Sequence, residues 1–415
     1  MSESTKPAAL LDRSDTRVTH AAGVGGSIKA FADKVRSGDL GSLPVVVGLI
    51  IIWGVFTALN PLFVSANNLV NLLFDASTIG IISLGIVCVL MLGEIDLSVG
   101  SMSGVGSALV GVLWVNQGVP VVVAILAAVL LGAITGLIYA LLRTQLGMPS
   151  FVSTLAGLLT LLGLQLYMLG NTGSINLPYG SFMVSFGQLL IIPAWLSYVL
   201  AVVPGVVVLV MGQRTRLRRR AAHLTPGSMS ALVLKAVVLI VGLVAIVYYL
   251  NLGRGVPWMF GLFIALVVVM NYAFTRTKWG RSMTAVGGNA EAARRAGINV
   301  KGIYTSAFIL CSMFAAFGGV LSSARLASAS QQAGTGDVNL NAIAAAVIGG
   351  TSLFGGRGSA WSALLGIIVI QSIASGLTLL NLSSSLRYMI TGAVLAIAVI
   401  VDSLARRSRV SHGRA

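Results

Sequence analysis

The chain has 415 residues, of which 56% are hydrophobic and only 9% are charged; an ordinary soluble domain is about 25% charged. With many apolar runs of near-spanning length, this excludes a soluble globular domain and indicates an all-α, polytopic transmembrane helical bundle. The net charge of +16 raises nucleic acid as a partner, but the placement of the cations points instead to cytoplasmic loops beside membrane lipid, with no nucleic acid.

Residues 1–42 carry scattered Lys and Arg between Gly-Gly and Ser-Gly breaks and read as a cytoplasmic tail. They contain no apolar signal-peptide core, so the first span is expected to act as the targeting signal. That span covers residues 43–59 and ends at Asn60-Pro61. Asn67, Asn68, Asn71 and Asp75 follow in a stretch without Lys or Arg, which is expected outside. Crossings are predicted over 78–92, 99–115, 119–142 and 151–169, with Arg143 inside. A polar external loop over 170–187 leads to a span over 188–211, in which Pro193 and Pro204 predict kinks. Next comes the densest basic cluster, Arg214, Arg216, Arg218, Arg219 and Arg220, read as a dock for an acidic partner or as a topology anchor beside anionic lipid.

The spans over 229–250 and 257–274 form another hairpin, and Lys235 can snorkel toward the inner surface. A polar interval over 276–302 precedes a span over 303–322 and an external segment with Arg325, Asp337, Asn339 and Asn341. Residues 342–353 are too short to cross a core of about 30 Å unless the helix is broken or partly unwound. Spans over 361–380 and 386–404 complete the bundle, and 405–415 is a basic cytoplasmic tail. The sum is about twelve crossings (10 to 12), with broken helices and both termini cytoplasmic. In that arrangement all of the 27 Lys and Arg except Lys235, Arg254, Arg325 and Arg387 face the inside, as the positive-inside rule requires.

Within the polar interval, Gly287-Gly288-Asn289-Ala290-Glu291-Ala292-Ala293-Arg294-Arg295-Ala296-Gly297-Ile298 predicts a helix of about two turns. Asn289 is its N-cap, Glu291 lies in the favourable first turn, and Gly297 can end it in a left-handed conformation. Ala292, Ala293 and Ala296 form a small-residue face suited to docking in a partner's cleft. The bland alternative is a capped connector resting on lipid headgroups. A second motif is Gly93-Glu94-Ile95-Asp96-Leu97-Ser98-Val99-Gly100-Ser101. There Glu94 and Asp96 either shape the inner mouth of a pathway, or Asp96 and Ser98 cap the helix near Val99 while Glu94 is solvated. A third stretch, 342–359, includes Gly349-Gly350-Thr351-Ser352-Leu353-Phe354-Gly355-Gly356. It has no Lys, so it is not a phosphate-binding loop, and its glycines suit close packing or an unwound turn.

These three motifs resemble, in order, those of permease subunits of bacterial ABC sugar importers of the ribose/xylose/galactose type. Glu94, where many members have a second Gly, and the inserted pair of spans over about 188–250 are similar to the xylose branch. The resemblance implies a permease domain over 43–404 whose coupling loop, 276–302, engages a cytoplasmic ABC ATPase through Gly288, Asn289, Glu291, Ala292, Ala293, Arg294, Gly297 and Ile298. It implies no cofactor in this chain, with ATP and Mg bound by the ATPase. It also implies a second permease copy and a periplasmic or lipid-anchored sugar-binding protein, at the bacterial cytoplasmic (inner) membrane. Residues assigned to a pathway or gate are Glu94, Asp96, Ser98, Ser101, Asn68, Asn71, Gly349, Gly350 and Thr351.

Cys88 and Cys311 fall in apolar runs and suggest neither a disulfide nor a metal site. No Ser-His-Asp set or catalytic carboxylate pair occurs, so the chain is not expected to be an enzyme. Thr154, Thr160, Gln165, Asn271, Gln371 and Ser372 either line a pathway for a neutral hydroxylated solute or serve as interhelical hydrogen-bond partners. The alternative function is a secondary transporter of a neutral solute driven by an ion gradient, against which the scarcity of intramembrane acids argues.

Overall fold

The computed structural model describes residues 43–224, 226, 228–383, 385–393, 396 and 400. Both predicted tails (1–42 and 405–415), most of the predicted crossing over 386–404, and so the sidedness expected of the termini lie outside them. Among the described residues the chain is all-α apart from one two-stranded ribbon. Its helices are α1 (Leu43–Leu59), α2 (Ala66–Leu90), α3 (Val99–Val110, continued by a π turn Gly111–Asn116), α4 (Val121–Thr144), α5 (Ser150–Leu169) and α6 (Phe182–Gln188). Then come α7 (Ala194–Ala221), α8 (Met229–Asn251), α9 (Trp258–Arg276), α10 (Lys278–Gly288), α11 (Ala290–Arg295), α12 (Val300–Leu326), α13 (Val338–Ile348) and α14 (Ala360–Leu379). Strands β1 (Ser174–Asn176) and β2 (Ser328–Ser330) pair antiparallel, with Ile175 opposite Ala329. Among the described residues nine helices are long and apolar enough to cross a membrane, and α1 and α13 are shorter apolar helices.

The chain forms two compact units. One contains Ile192–Val256, and the other is built from Ser42–Ile191 and Pro257–Arg407. In the larger unit, α12 is the central post, packed against α2, α3 and α4. α4 shows how composition is sorted. Leu126, Leu130, Ile134 and Ile138, four residues apart, are 47–63% exposed, whereas Ala124, Ala128, Gly132, Gly136 and Ala140 are buried. Large apolar side chains outward and small ones inward is the pattern of a helix solvated by lipid, where close backbone packing replaces the hydrophobic drive. The glycines make that packing possible. A Cβ at Gly136 would strike the Phe308 carbonyl of α12, and one at Gly132 would lie 2.6 Å from that of Ser312.

The smaller unit is the α7/α8 hairpin, held by Gly205 against Ile240 and by Asn251 Nδ2 donating to Ser197 Oγ at 3.2 Å. Pro193 is the N-cap of α7 and Pro204 lies inside it. The basic cluster, read above as following the span, forms the last turns of this helix. Arginine has good helix propensity, and the C-terminal end of the dipole favours cations.

Two segments expected as external connectors are also helical. Asn67, Asn68, Asn71 and Asp75 occupy the first turns of α2, and Asn339 and Asn341 lie on α13. Tertiary partners remove the need for water. Asn68 Nδ2 donates to the Phe63 carbonyl at 2.7 Å and its Oδ1 accepts from Ser375. Arg325, at the end of α12, pairs with Asp75 at 2.8 Å and lies over the Phe74 ring. The predicted break after 348 is present: α13 has 11 residues, and an irregular stretch follows up to Ala360.

Candidate functional site

The interval between α9 and α12 folds as two short helices rather than one. Thr277 caps α10, accepting from the Gly280 amide at 3.2 Å, and Trp279 donates to Ser306 Oγ at 2.7 Å and stacks on Phe274. Met283 and Val286 are buried, so α10 lies with one face on the bundle. Asn289 is extended (φ −159°, ψ 102°) and caps α11, its Oδ1 accepting from the Ala292 amide at 2.9 Å. Glu291 pairs with Arg294 at 2.8 Å and Arg295 at 3.0 Å, and Arg294 followed by Arg295 holds its carboxyl below the usual carboxylate range.

At the other end Gly297 has φ +82°, its amide reaches the Arg294 carbonyl, and the Ile298 amide reaches that of Ala293. These are the paired bonds of a Schellman cap, which needs a residue free to be left-handed. The three alanines do not share one accessible face. Ala292 and Ala296 are exposed, whereas Ala293 is 4% exposed, seated against the chain's own body. A helix this short has its orientation set by what it rests on, and Ala293 is the foot.

α11 adjoins a junction of the three motif segments. Gly287, at the end of α10, leaves no room for a Cβ, which would strike the Met91 carbonyl. That carbonyl accepts from the Gly356 amide at 2.9 Å. A Cβ at Gly355 would lie 2.7 Å from the Gly287 carbonyl and 2.8 Å from the Gly93 nitrogen. Gly93, Gly355 and Gly356 all have positive φ. The end of α2, the break after α13 and the helix pair α10–α11 therefore meet backbone to backbone.

In the break between α2 and α3 two backbone amides and one carbonyl are satisfied by neighbouring side chains, as irregular backbone packed on protein requires, while Asp96 Oδ2 is buried without a partner among the described residues. Ile95 and Leu97 donate to Ser150 and Thr154 at 3.4 and 3.2 Å, and Asn339 Nδ2 reaches the Leu97 carbonyl at 2.6 Å. Glu94 is largely sheltered, its side chain 10% exposed, rather than freely solvated. It pairs with Arg143 Nε at 2.7 Å, and that guanidinium lies 5.3 Å from the centre of the Tyr304 ring. Asp96 is fully buried, its Oδ1 accepting from the Ser98 amide and hydroxyl at 2.8 and 2.7 Å. Ser98 occupies the N-cap position of α3 but makes no side-chain cap bond: its backbone is helical (φ −94°, ψ −6°) rather than extended as a capping residue's is, and its hydroxyl donates to Asp96. A cavity of about 390 Å³ opens beside Gly93, Glu94, Arg143 and Ser150.

The residues assigned to a pathway fall into separate groups. Glu94, Asp96, Ser98 and Ser101 line the first break. Gly349, Gly350 and buried Thr351 begin the second, Gly349 pressed on the Ser362 carbonyl and Gly350 at φ +107°. Asn68 and Asn71 stand near the opposite end of α2, about 30 Å away along the helix, and Asn71 Oδ1 accepts from Arg325. Thr154 ties the first break to α5, Gln165 ties α5 to β2 and the loop after it while its Oε1 stays buried without a partner among the described residues, and Ser372 ties α14 to α1. Gln165 Nε2 donates to the Ser330 and Ala333 carbonyls at 2.9 Å each, and Trp53 donates to Ser372. Arg143, Tyr304 and Met91 were missed as site residues, although a buried acid at 94 implies a cation somewhere.

Residues 68–399 match the family model described as branched-chain amino acid transport system / permease component. The chain belongs to this permease family. It is 35% identical to the xylose transport system permease protein XylH of Escherichia coli (strain K12) over 351 residues, 83% of this chain and 87% of that one. XylH of Haemophilus influenzae is 32% identical over 376 residues, 89% of this chain and 98% of the relative. The ribose import permease protein RbsC of Escherichia coli (strain K12) is 30% identical over 367 residues, 86% and 92% of the two chains. No solved structure matches the chain. The relatives are transport permeases, and the junction described above is thus part of a multi-pass permease.

Proposed function

We propose that this chain is the membrane-spanning subunit of an ATP-driven importer in the bacterial cytoplasmic membrane, carrying a monosaccharide, xylose or a related pentose. It works as a pair of copies. α11 docks into a cytoplasmic ATPase that binds ATP and Mg, and a periplasmic or lipid-anchored binding protein delivers the sugar. The supporting observation is the glycine junction: a capped helix with an exposed Ala292/Ala296 face stands on backbone belonging to both broken segments. The ATPase's nucleotide state biases a two-state bundle by shifting this junction, since a partner moves an equilibrium only through differential contact with the two states. The names of the relatives support the choice of pentose.

The test is radiolabelled xylose uptake into proteoliposomes. Uptake is expected only with ATPase, ATP and binding protein together. Accumulation by the chain alone under a proton or sodium gradient overturns the proposal in favour of a secondary carrier, which would need a buried acid such as Asp96.

A further inference from the structure

A second cavity, of about 260 Å³, lies between α13, α14 and the helical residues 385–393. Its polar lining is Asp337, Asn341, Arg387, Tyr388 and Thr391, and Ile370 and Ala374 form part of an apolar wall. The close approaches of Gly349 to Ser362 and of Gly366 to Ala345 set α13 antiparallel to α14. Asn341 then lies beside Ile370 and Asp337 beside Ala374, about 15–20 Å along α14 from its junction end. Ala374 stands five residues before the end of α14 at Leu379, so the cavity lies in the half of that helix away from the junction.

Asn341 is the telling residue. It is 5% exposed, its Nδ2 donates to Asp337 Oδ2 at 2.9 Å, and its Oδ1 has no partner. A buried acceptor left unmade costs about 1–3 kcal/mol, and because Oδ1 is itself closed to water, a small turn of the side chain toward the cavity is what lets it accept from a hydroxyl. Arg387, which also donates to Thr378 Oγ1 at 3.0 Å, supplies a donor on the facing helix. The apolar wall and the Tyr388 ring can take the C–H face of a small ring. At about 30 Å³ per water the space holds about eight waters, more than a pentose displaces.

We infer that this cavity is a transit site within the bundle for one neutral polyhydroxylated solute of monosaccharide size, with Asn341 and Asp337 as hydroxyl acceptors and Arg387 as donor. The inference rests on the proposed sugar transport and adds where the sugar halts. A transit site has to release its occupant, so affinity is in the millimolar range.

The full chain carrying Ala374→Cys, in lipid nanodiscs, is labelled with a water-soluble maleimide against a parent whose Cys88 and Cys311 are both buried. D-xylose or D-ribose at about ten times a millimolar Kd is expected to slow labelling about tenfold, and L-alanine at the same concentration is expected not to. Adding Asn341→Leu is expected to remove the protection, measured against that chain's own sugar-free rate. Equal rates with and without either pentose, equal protection by alanine, or full protection in the Asn341→Leu chain overturns the inference. Failure of the Ala374→Cys chain to label above the parent also overturns it, because the cavity would then admit no hydrated solute. The readout uses neither ATPase nor binding protein. Its failure therefore leaves the ATP-driven reading intact, and failure of ATP-driven uptake leaves the protection measurement standing.

Discussion

Glu94 and Arg143 are unequal partners. The Glu94 side chain is 10% exposed and that of Arg143 34%. Removing the cation leaves a sheltered carboxylate uncompensated, whereas removing the acid leaves a guanidinium that reaches water and stays over Tyr304. Buried pairs lose about 3–5 kcal/mol when one member goes, and exposed pairs about 0–1. This half-sheltered pair belongs between them. Arg143→Met is expected to lower stability by about 2–3 kcal/mol and Glu94→Gln by about 1, with the double variant losing less than the sum. Thermal unfolding in detergent checks the order, and equal losses would show both groups to be equally solvated. The alanines of α11 differ in the same way. Ala293→Trp overpacks a seated position and is expected to cost about 1–3 kcal/mol. Ala296→Trp, on an exposed face, is expected to leave unfolding unchanged and to abolish ATPase co-purification. Normal co-purification of the Ala296→Trp chain would remove α11 as the dock.

At the scale of elements, the junction makes neighbouring glycines behave oppositely. Gly287→Ala drives a Cβ into the Met91 carbonyl and disturbs its bond from Gly356, while Gly288 has nothing within 4 Å of its Cβ position. Gly287→Ala is expected to lose sugar uptake at least about tenfold while ATP hydrolysis persists, and Gly288→Ala to match the parent, since strain arises only where packed atoms must move. Equal behaviour of the two would mean that the junction transmits nothing. α11 also carries a pH signature. The Glu291 carboxyl is lowered from 4.5 by Arg294 and Arg295, so its support of the helix is fully present above about 4.5 and is lost as pH falls further, through the folded value. Amide exchange of residues 292–295, corrected for intrinsic rate, is expected to quicken below that pH, and in Glu291→Gln to be quick throughout. The caps of α11 were legible in the sequence because Asn289 and Gly297 obey local rules. So was the unwinding after Ile348, where φ +107° at Gly350 needs glycine. The junction was not legible, since nothing local in Met91, Gly287 or Gly356 announces that the three meet. Asn67–Asp75 read as a loop because hydropathy counts polar groups without seeing Ser375 or Arg325, which satisfy them.

For the whole molecule, the α7/α8 hairpin behaves as an insertion. Its flanks, Ile191 and Pro257, pair as an isolated antiparallel bridge, and the Trp258 amide donates to the Leu190 carbonyl at 3.1 Å. Chains paired in this way are about 5 Å apart, a gap that a two-residue turn closes. Both helices of the hairpin are candidate spans, so deleting residues 192–256 removes an even number of crossings and leaves every later loop on its original side. The deletion also removes Arg214–Arg220, the densest basic cluster, and that makes it a test of what orients the chain. Arg143, Arg276, Lys278, Arg281, Arg294, Arg295 and Lys301 remain on the loops expected inside, and a positive-inside bias summed over short loops does not depend on any one cluster. The deleted chain, closed with Gly-Gly and carrying a cysteine at exposed Ala296, is expected to insert, to bind the ATPase, and to react with an impermeant maleimide only after the cells are opened. Labelling of intact cells would mean that the arginines of α7 set the orientation of everything that follows them.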